Sequence, residues 1–342
     1  MVIDDFDTDR RVLIVAEIGN NHEGSYALAE ELIGLAAQAG ADAVKFQTFR
    51  TQHYISSRDQ QRFEQLKSFE LRFEQFERLS RSACDEGVLF LSTPFDIQSA
   101  QLLNDIVAAY KISSGDITFY PLLEVVGETG KPVIVSTGLA DLREIAAAKA
   151  TIERVRSERG LAGELALLHC VSSYPVPLDQ ANLAAIGGLK ALFGCTVGYS
   201  DHTLGIEAAG LAVAAGARIV EKHFTIATDY SGFRDHQLSA DPREMAELVR
   251  RIRAIETLMG NGEKVPQPCE RELITALRRS IAANRDLPAG AVLSRDDLTW
   301  VRPGGGFAPG QEESVVGREL VGPIAAGQAI SPDLLVQETA EV

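Results

Sequence analysis

The chain has little of what marks secreted, membrane-bound or nucleic-acid-binding proteins. Only 4 of its 342 residues are cysteine, and no two of them form a CxxC pair. This scarcity favours buried free thiols in a reducing cytoplasm over a disulfide framework. No uninterrupted apolar run approaches the ~18 residues that span a bilayer. The formal net charge of −15 argues against nucleic acid or an anionic membrane as a partner.

The amino terminus also lacks an export signal. It begins MVIDDFDTDR, which is acidic and does not have the basic and then apolar pattern of a signal peptide. We therefore expect a cytoplasmic protein. Because the chain as a whole is acidic, any anionic substrate must be held by local cations that act against the overall field.

What is present is one repeating pattern between Arg11 and Gly260. A short β-rich run is followed by an Ala-, Leu- and Glu-rich helical stretch and then by a Gly-containing turn. The predicted strands are RVLIVAEIG, ADAVKFQTF, GVLFLSTPF, AYKISSGD, KPVIVSTG, ELALLHCVSSYP, CTVGYSDHT and ARIVEKHF. Eight such units in about 250 residues are typical of an α/β fold with a closed parallel barrel, the TIM barrel. The alternative is a doubly wound open sheet, but no GxGxxG follows the first strand.

A second, smaller domain is predicted at the carboxyl end. LPAGAVLSRDDL, from Leu287, aligns with IAAGQAISPDLL, from Ile324, at an offset of 37 residues. Two copies of one strand-and-turn unit indicate a pseudo-symmetric β-rich domain, and about 60 residues bury little surface without a larger body to pack against. We therefore divide the chain into a barrel at 1–262, a linker at 263–280 and a β-rich domain at 281–342.

Polar side chains collect where the predicted barrel strands end. In barrels of this kind the chemistry lies at the carboxyl ends of the strands, and residues i and i+2 of a strand face the same side. We expect the following residues to line one mouth: Glu17, Lys45, Gln47, Lys111, Ser113, Ser114, Asp116, Ser136, Ser172, Ser173, Tyr174, Ser200, His202, Lys222 and His223.

Two pairs among these residues favour particular ligands. His202 and His223 end adjacent strands, which favours a divalent metal site, although a lone strand-end histidine is more often structural. The residues alone leave both interpretations open. Lys45 and Lys111 lie inside apolar runs, where a lysine side chain has no easy route to bulk water. With serine hydroxyls nearby, they favour a phosphate or carboxylate ligand over rim lysines paired to carboxylates.

Nine strings that include these residues resemble the sialic acid synthase family. They are AEIGNNHEGS, VKFQTF, FLSTPFD, YKISSGD, GKPVIVSTG, LLHCVSSYP, GYSDHT, VEKHFT and WVRPGGG, in that order along the chain. The family condenses phosphoenolpyruvate with an N-acylmannosamine-type sugar to give nine-carbon 2-keto acids, the nonulosonic acids. The resemblance implies an N-acetylneuraminate synthase-like transferase with an antifreeze-like (SAF) domain after the TIM barrel.

The resemblance also implies a role for each matched position. His202 and His223 match the ligands of a divalent cation, Mn²⁺ or Mg²⁺, and Glu17 matches an acidic residue beside it. With Asp116, these are the predicted catalytic residues. The phosphoenolpyruvate-binding positions are Lys45, Lys111, Ser114, Ser136 and Ser200, and the other sugar-contacting positions are Gln47, Tyr174 and Asp235. Arg302 matches a residue that reaches into the partner subunit's barrel, which implies a domain-swapped homodimer.

Two departures from the family pattern concern the sugar. The usual SGE is SGD here, so Asp116 replaces a glutamate that contacts sugar hydroxyls. The usual GPDH is GFRDH, which places Phe233 and Arg234 beside Asp235. Arg234 either binds an extra acyl group or carboxylate or sits on the rim. N-acetylmannosamine and the diacetamido-trideoxy hexoses that lead to legionaminic or pseudaminic acid are all candidate acceptors.

Three other functions compete with this prediction. A phosphoenolpyruvate–aldose synthase of the 3-deoxy-heptulosonate or octulosonate phosphate type needs a second phosphate site, and the sequence shows no spare basic cluster for one. An ice-binding or carbohydrate-binding module needs a flat, regular Thr-rich face, which GAVLSRDDLTWVRPGGG does not offer. A polysaccharide-assembly scaffold would bind partners without needing either histidine.

Overall fold

The computed structural model describes residues 1–337 and divides into two compact units. The first comprises Met1–Asn261, and the second begins at Gly262. The segment predicted as a linker is not without structure, because it contains a short helix at Arg271–Leu277. Within residues 1–337, the structure has no helix with the length and apolar character needed to cross a membrane.

The first unit is a closed parallel barrel. An antiparallel hairpin of β1 (Val2–Ile3) and β2 (Phe6–Asp7) precedes it. The barrel strands are β3 (Leu13–Gly19), β4 (Ala43–Thr48), β5 (Leu89–Pro94), β6 (Tyr110–Ile112), β7 (Val133–Ser136), β8 (Leu165–Cys170), β9 (Thr196–Asp201) and β10 (Ile219–His223). They pair in chain order, and β10 closes the ring on β3. The predicted TIM barrel is therefore confirmed, and each strand lies within its predicted run.

The helices cover the outside of the barrel, and the two longest begin with capping boxes. They are α1 (Tyr26–Gln38), α2 (Thr51–Tyr54), α3 (Gln60–Phe69), α4 (Phe73–Asp85), α5 (Ile97–Leu103), α6 (Tyr120–Gly127), α7 (Leu142–Arg159), α8 (Ala185–Phe193), α9 (Glu207–Ala214), α10 (Arg234–Leu238) and α11 (Pro242–Met259). Asp141 caps α7 in a capping box with Glu144, and Asp241 caps α11 in the same way with Glu244. Their apolar faces pack against the outer faces of the strands.

The inside of the barrel changes character from one end to the other. At the amino ends of the strands it is filled by an apolar cluster of Met1, Ile3, Leu13, Val15, Ala43, Leu91, Ala109, Ile134, Ala166, Leu168 and Ile219. The β1–β2 hairpin contributes Met1 and Ile3 to this plug. Gly198 fits the same crowded layer, since a Cβ there would lie 2.4 Å from the carbonyl oxygen of Ile219. The carboxyl ends of the strands instead enclose a cavity.

The second unit holds α12 (Arg271–Leu277) and an antiparallel pair of β11 (Ser280–Ala283) and β12 (Leu298–Val301). The two copies of the sequence duplication have the same local structure. Each has a one-turn 3₁₀ helix after a serine, at Arg295–Asp297 and Pro332–Leu334. Leu287 and Ile324, which start the two copies, form an antiparallel bridge with each other. This unit has its own apolar core and is the predicted SAF-type domain.

Candidate active site

The candidate site is an open cavity of about 420 Å³ at the carboxyl ends of the barrel strands. Strand alternation builds it, because the last plug residue of each contributing strand is followed two residues later by a cavity-lining one. Glu17 follows Val15, Lys45 follows Ala43, and the same step recurs around the ring. The polar set is Glu17, Lys45, Thr93, Lys111, Ser136, Cys170, Ser200, Glu221 and His223. A larger cavity of about 650 Å³ lies at the amino ends of β4–β6, and no predicted site residue lines it.

The floor of the cavity is a row of alternating buried charges. Lys45 Nζ lies 2.6 Å from Glu17 Oε2 and 3.7 Å from Glu221 Oε2, and it donates a hydrogen bond to Thr93 Oγ1 at 3.0 Å. Lys111 Nζ lies 3.8 Å from Glu221 Oε1 and donates to the carbonyl oxygen of Ile112. The side chains of both lysines and both glutamates are at most 8% exposed. Such groups are held in a barrel interior only because each has an oppositely charged neighbour.

These neighbours shift the pKa values of the row in different directions. Burial raises the pKa of Glu17, and the Lys45 ammonium only partly opposes that. Burial acts the same way on Glu221, but the charges of Lys111 and Lys45 outweigh it and lower the pKa of that carboxyl. Burial lowers the pKa of Lys111. The two cations and the two carboxylates cancel formally, so a multiply charged anion in this cavity needs a further positive charge.

Two imidazoles face each other beside this row. The ring centroids of His202 and His223 are 5.4 Å apart. His202 Nδ1 is 2.9 Å from the carbonyl oxygen of Val171, so Nδ1 carries a hydrogen, and in the neutral ring Nε2 has the lone pair. His223 Nδ1 is buried without a hydrogen-bond partner. Burial, with added repulsion from His202 and Lys45, holds the pKa of His223 well below its usual value, so its ring is neutral at pH 7.

Serine hydroxyls and a close backbone approach also line the cavity. Ser114 Oγ accepts a hydrogen bond from the backbone N–H of Gly138 at 3.0 Å. A Cβ at Gly138 would lie 2.4 Å from Ser172 Oγ and 2.8 Å from Ser114 Oγ, so a side chain there would displace both hydroxyls. Ser136 Oγ is buried without a partner, and Ser200 Oγ donates to Glu221 at 3.0 Å. The free hydroxyl of Ser136 is an unused donor for an oxygen-rich ligand.

The outer end of the cavity is built from an aromatic ring, an arginine and two carboxylates. The Tyr174 ring lies 4.2 Å from the His202 ring, centroid to centroid, and the guanidinium carbon of Arg234 lies 4.6 Å from the Tyr174 centroid. Arg234 Nε is 3.3 Å from Asp235 Oδ1. Asp116 accepts a hydrogen bond from Ser113 at 2.6 Å, and burial raises its pKa. This end offers both hydrogen-bonding groups and a flat face, as a sugar requires.

Gln47 joins the charged floor to the outer wall. Its Nε2 donates to Glu17 Oε1 at 3.3 Å, and its Oε1 accepts from Asn20 Nδ2 at 2.8 Å. Asn20 Oδ1 is buried without a partner. The amide of Gln47 is therefore held in one orientation from both sides.

Of the residues predicted from the sequence to form the site, all line this one cavity except Ser173, Lys222 and Arg302. The hydroxyl of Ser173 instead donates to the carbonyl oxygen of Pro175 at 3.0 Å. Arg302 lies in the second unit, where its side chain is exposed and Nε donates to the carbonyl oxygen of Leu277 at 2.7 Å. Its predicted role stays a prediction.

Lys222 does not line the mouth, and that part of the sequence prediction was wrong. Between the inward residues Glu221 and His223, strand alternation turns Lys222 to the outer face of the barrel. There Lys222 Nζ lies 3.2 Å from Asp201 Oδ2 and donates to the carbonyl oxygen of Thr203 at 2.6 Å.

Sequence reasoning missed three inward residues. Glu221, Thr93 and Cys170 all line the cavity. The signal for them was available, because each is two residues from another inward position: His223, Leu91 and Leu168 respectively. Arg234, left open from the sequence, also lines the cavity.

The fold and the site together define a TIM-barrel enzyme whose cavity offers cations, paired imidazoles and a polar outer wall to small substrates. Residues 32–264 match the NeuB family, and residues 278–336 match the SAF domain. The chain therefore belongs to the NeuB family.

Relatives with stated activities are similar to this chain over nearly its whole length. The N,N'-diacetyllegionaminic acid synthase of Legionella pneumophila is 41% identical, over 93% of this chain and 92% of its own. The N-acetylneuraminate-9-phosphate synthase of Homo sapiens is 30% identical, over 94% of this chain and 92% of its own. The crystal structure of a putative spore coat polysaccharide biosynthesis protein E from Chromobacterium violaceum has a TM-score of 0.82 at 28% identity, covering 96% of this chain and 100% of that one.

Proposed function

We propose that this protein condenses phosphoenolpyruvate with an N-acylated amino sugar and water, giving a nonulosonic acid and inorganic phosphate. The observation that supports it best is the meeting of two buried lysines and two facing imidazoles in a single cavity. The relatives named as synthases of legionaminic and N-acetylneuraminic acids point to the same reaction class.

Phosphoenolpyruvate binds at the inner end of the cavity in this proposal. Lys45 and Lys111 lie within reach of its carboxylate and phosphate, and the unpartnered hydroxyl of Ser136 supplies a further donor. Glu17 and Glu221 keep both ammonium groups charged inside the barrel before the substrate enters. Binding then replaces part of those ion pairs with contacts to the substrate.

A divalent cation, Mn²⁺ or Mg²⁺, fits the imidazole pair. The donor atoms left free are His202 Nε2 and the nitrogens of His223, and the His202 tautomer is already set by its bond to Val171. In the described part of the chain no third His, Cys, Asp or Glu completes a ligand set, so substrate and water would supply the rest. When bound, such a cation polarises an aldehyde oxygen as a Lewis acid and adds the positive charge that the neutral floor lacks.

The reaction then needs orientation and one activated water. The C3 carbon of phosphoenolpyruvate attacks the aldehyde carbon, which forms a C–C bond and leaves an oxocarbenium-like centre at C2. Glu17 lies beside this centre in the proposed pose, where its carboxylate takes a proton from the water that adds to C2. The bond between C2 and the bridging oxygen then breaks, and the C2 hydroxyl becomes the keto group as its proton passes to the departing phosphate. Phosphate leaves with the bridging oxygen, and the proton held by Glu17 passes to the former aldehyde oxygen, which becomes a hydroxyl.

The acceptor sugar occupies the outer end of the cavity. Its hydroxyls meet Asp116, Gln47 and Asp235, and its ring packs on Tyr174. A second candidate acceptor, a diacetamido-trideoxy hexose, is favoured by two relatives named N,N'-diacetyllegionaminic acid synthase, at 41% and 38% identity. Arg234 beside Tyr174 would hydrogen-bond the second acyl group.

A domain-swapped homodimer is part of the proposal. Arg302 is exposed in the second unit, and we expect it to reach the cavity of a partner subunit.

The test is phosphate release from phosphoenolpyruvate in the presence of Mn²⁺ and a panel of acceptors. The panel contains N-acetylmannosamine, its 6-phosphate and a diacetamido-trideoxy hexose, and mass spectrometry identifies each product. We expect release only with an acceptor, and a loss of at least 100-fold in kcat/KM for Lys111→Met, which removes a buried charge-assisted contact. Wild-type protein that releases no phosphate with any acceptor would refute the proposal.

A further inference from the structure

Two loops at the mouth of the barrel are joined by a hydrogen bond between a buried histidine and a glutamate. The first, residues 20–25, follows β3, and the second, residues 226–240, follows β10 and is called here the acceptor loop. His236 of the acceptor loop is fully buried; its Nε2 donates to Glu23 Oε1 at 3.0 Å, and its Nδ1 shares a 2.6 Å hydrogen bond with Thr225 Oγ1. Ser231 of the acceptor loop also donates to Glu23 Oε1.

Glu23 reaches this position in an unfavourable backbone conformation. Its φ is +46°, a left-handed value that residues other than glycine, asparagine and aspartate seldom adopt. Strained residues of this kind persist where the surrounding structure over-determines them, and they cluster at ligand sites. Nearby, Asn21 Nδ2 donates to Ser239 Oγ at 2.9 Å, which in turn donates to the carbonyl oxygen of Asp235 at 2.6 Å. The first loop therefore holds the acceptor loop at two points.

The acceptor loop supplies the outer wall of the cavity. Arg234 and Asp235 immediately precede His236, and both line the cavity. Arg234 packs over the Tyr174 ring, which packs on His202. Neither Glu23 nor His236 lines the cavity, so any effect they have on the substrate passes through these neighbours.

We propose that Glu23 and His236 form a latch, a pair of positioning residues that sets Arg234 and Asp235 against the acceptor sugar. This inference rests on the proposed function, because it assigns the outer wall to the sugar and the charged floor to phosphoenolpyruvate. The latch then governs the KM of the sugar and leaves the KM of phosphoenolpyruvate unchanged.

Two substitutions of His236 separate its two hydrogen bonds. In His236→Asn the amide can still reach Thr225, in the place of Nδ1, but not Glu23. In His236→Gln the amide nitrogen reaches Glu23, in the place of Nε2. Glu23→Asn removes the carboxylate from the other side with a residue that tolerates the left-handed backbone. The matched control is His169→Asn, since the buried His169 bonds the carbonyl oxygen of Ala181 through Nε2 and does not line the cavity.

Steady-state kinetics with each substrate varied in turn tests the latch. His236→Asn and Glu23→Asn should raise the KM of the sugar on the order of tenfold, with the KM of phosphoenolpyruvate within twofold of wild type. His236→Gln should recover most of the loss, and His169→Asn should leave both KM values unchanged. Hydrogen exchange followed by mass spectrometry should show faster exchange of residues 226–240 in His236→Asn than in His169→Asn.

The outcomes separate this inference from the proposed function. If wild type turns over and His236→Asn lowers only the yield of active protein, or changes both KM values equally, the latch is refuted while the proposed function stands. If His236→Asn does not fold, Glu23→Asn and His236→Gln decide by the same comparison of KM values. Wild type that releases no phosphate with any acceptor refutes the proposed function and this inference with it.

Discussion

Replacing Lys222 by methionine should destabilise the barrel strongly, although Lys222 does not line the cavity. Its side chain is 1% exposed and that of Asp201 is 0% exposed, with 3.2 Å between Nζ and Oδ2. Without the ammonium group, the Asp201 carboxylate stays buried with only neutral donors, the N–H and hydroxyl of Thr203 and the hydroxyl of Tyr199. Breaking one side of a buried ion pair costs about 3–5 kcal/mol, which for a unit of this size lowers Tm by roughly 6–15 °C.

A second substitution shows whether charge is the cause. In Lys222→Met with Asp201→Asn neither position carries a charge, while the asparagine oxygen still accepts from Thr203, so more than half of the lost stability should return. Exposed Arg154 supplies the control, because Arg154→Met removes ion pairs with Glu158 and Glu124, whose side chains are 60% and 47% exposed. That change should leave the urea midpoint close to that of wild type.

Urea unfolding followed by far-UV circular dichroism measures these differences. The helices of the first unit dominate the signal, and the midpoint and slope give the free energy of unfolding. A Lys222→Met variant within 1 kcal/mol of wild type would refute the reasoning, and so would a double variant less stable than the single one.

Four further predictions concern the site and its surroundings. Excess EDTA should abolish turnover and Mn²⁺ restore it, while His223→Ala should bind Mn²⁺ at least tenfold more weakly by calorimetry; full turnover in EDTA would contradict the metal assignment. Glu221→Gln should weaken turnover at least tenfold, because Lys45 and Lys111 lose a shared counter-ion; wild-type rates would contradict it. Burial lowers the pKa of His22 to about 4. The imidazole of the unfolded chain therefore binds a proton at a higher pH than that of the folded chain. As a result, the free energy of unfolding is at its full value above pH 6.5 and falls by about 3 kcal/mol as the pH drops to 4. His22→Asn should remove this part of the pH dependence of the free energy of unfolding, as measured by urea unfolding at several pH values. An unchanged pH dependence would show that His22 is not its cause. Arg302→Ala should lower turnover sharply with the circular dichroism spectrum unchanged, and wild-type rates would refute the cross-subunit role.

The fold could be predicted from the sequence because every strand lies in a β-rich run that is separated from the next by an Ala-, Leu- and Glu-rich helical stretch and a Gly-containing turn. The alternation of side chains along a strand could also have predicted which residues at the end of β10 face the cavity. Glu221 and His223 are two residues apart and face the cavity, while Lys222 between them faces outward to Asp201. The prediction that Lys222 lines the mouth relied on its polarity and overlooked the two-residue alternation of strand side chains.

The partners of the buried charges could not be predicted in the same way. Lys45 on β4 contacts two glutamates. Glu17 lies on β3, the strand next to β4 in the sheet, whereas Glu221 lies on β10, the last strand of the barrel. The second contact exists because the side chains converge inside a closed barrel, so it depends on the curvature of the whole sheet. The bond between Glu23 and His236, 213 residues apart, arises for the same reason, because barrel closure brings the loops after β3 and β10 together.

The most direct test of the central claim is the fate of the bridging oxygen of phosphoenolpyruvate. The substrate is prepared with ¹⁸O between C2 and phosphorus and incubated with Mn²⁺, an acceptor sugar and the wild-type protein. Release that depends on the acceptor, with the label in inorganic phosphate, is the predicted result. Label retained in the keto acid, or release that proceeds equally well without an acceptor, would contradict it.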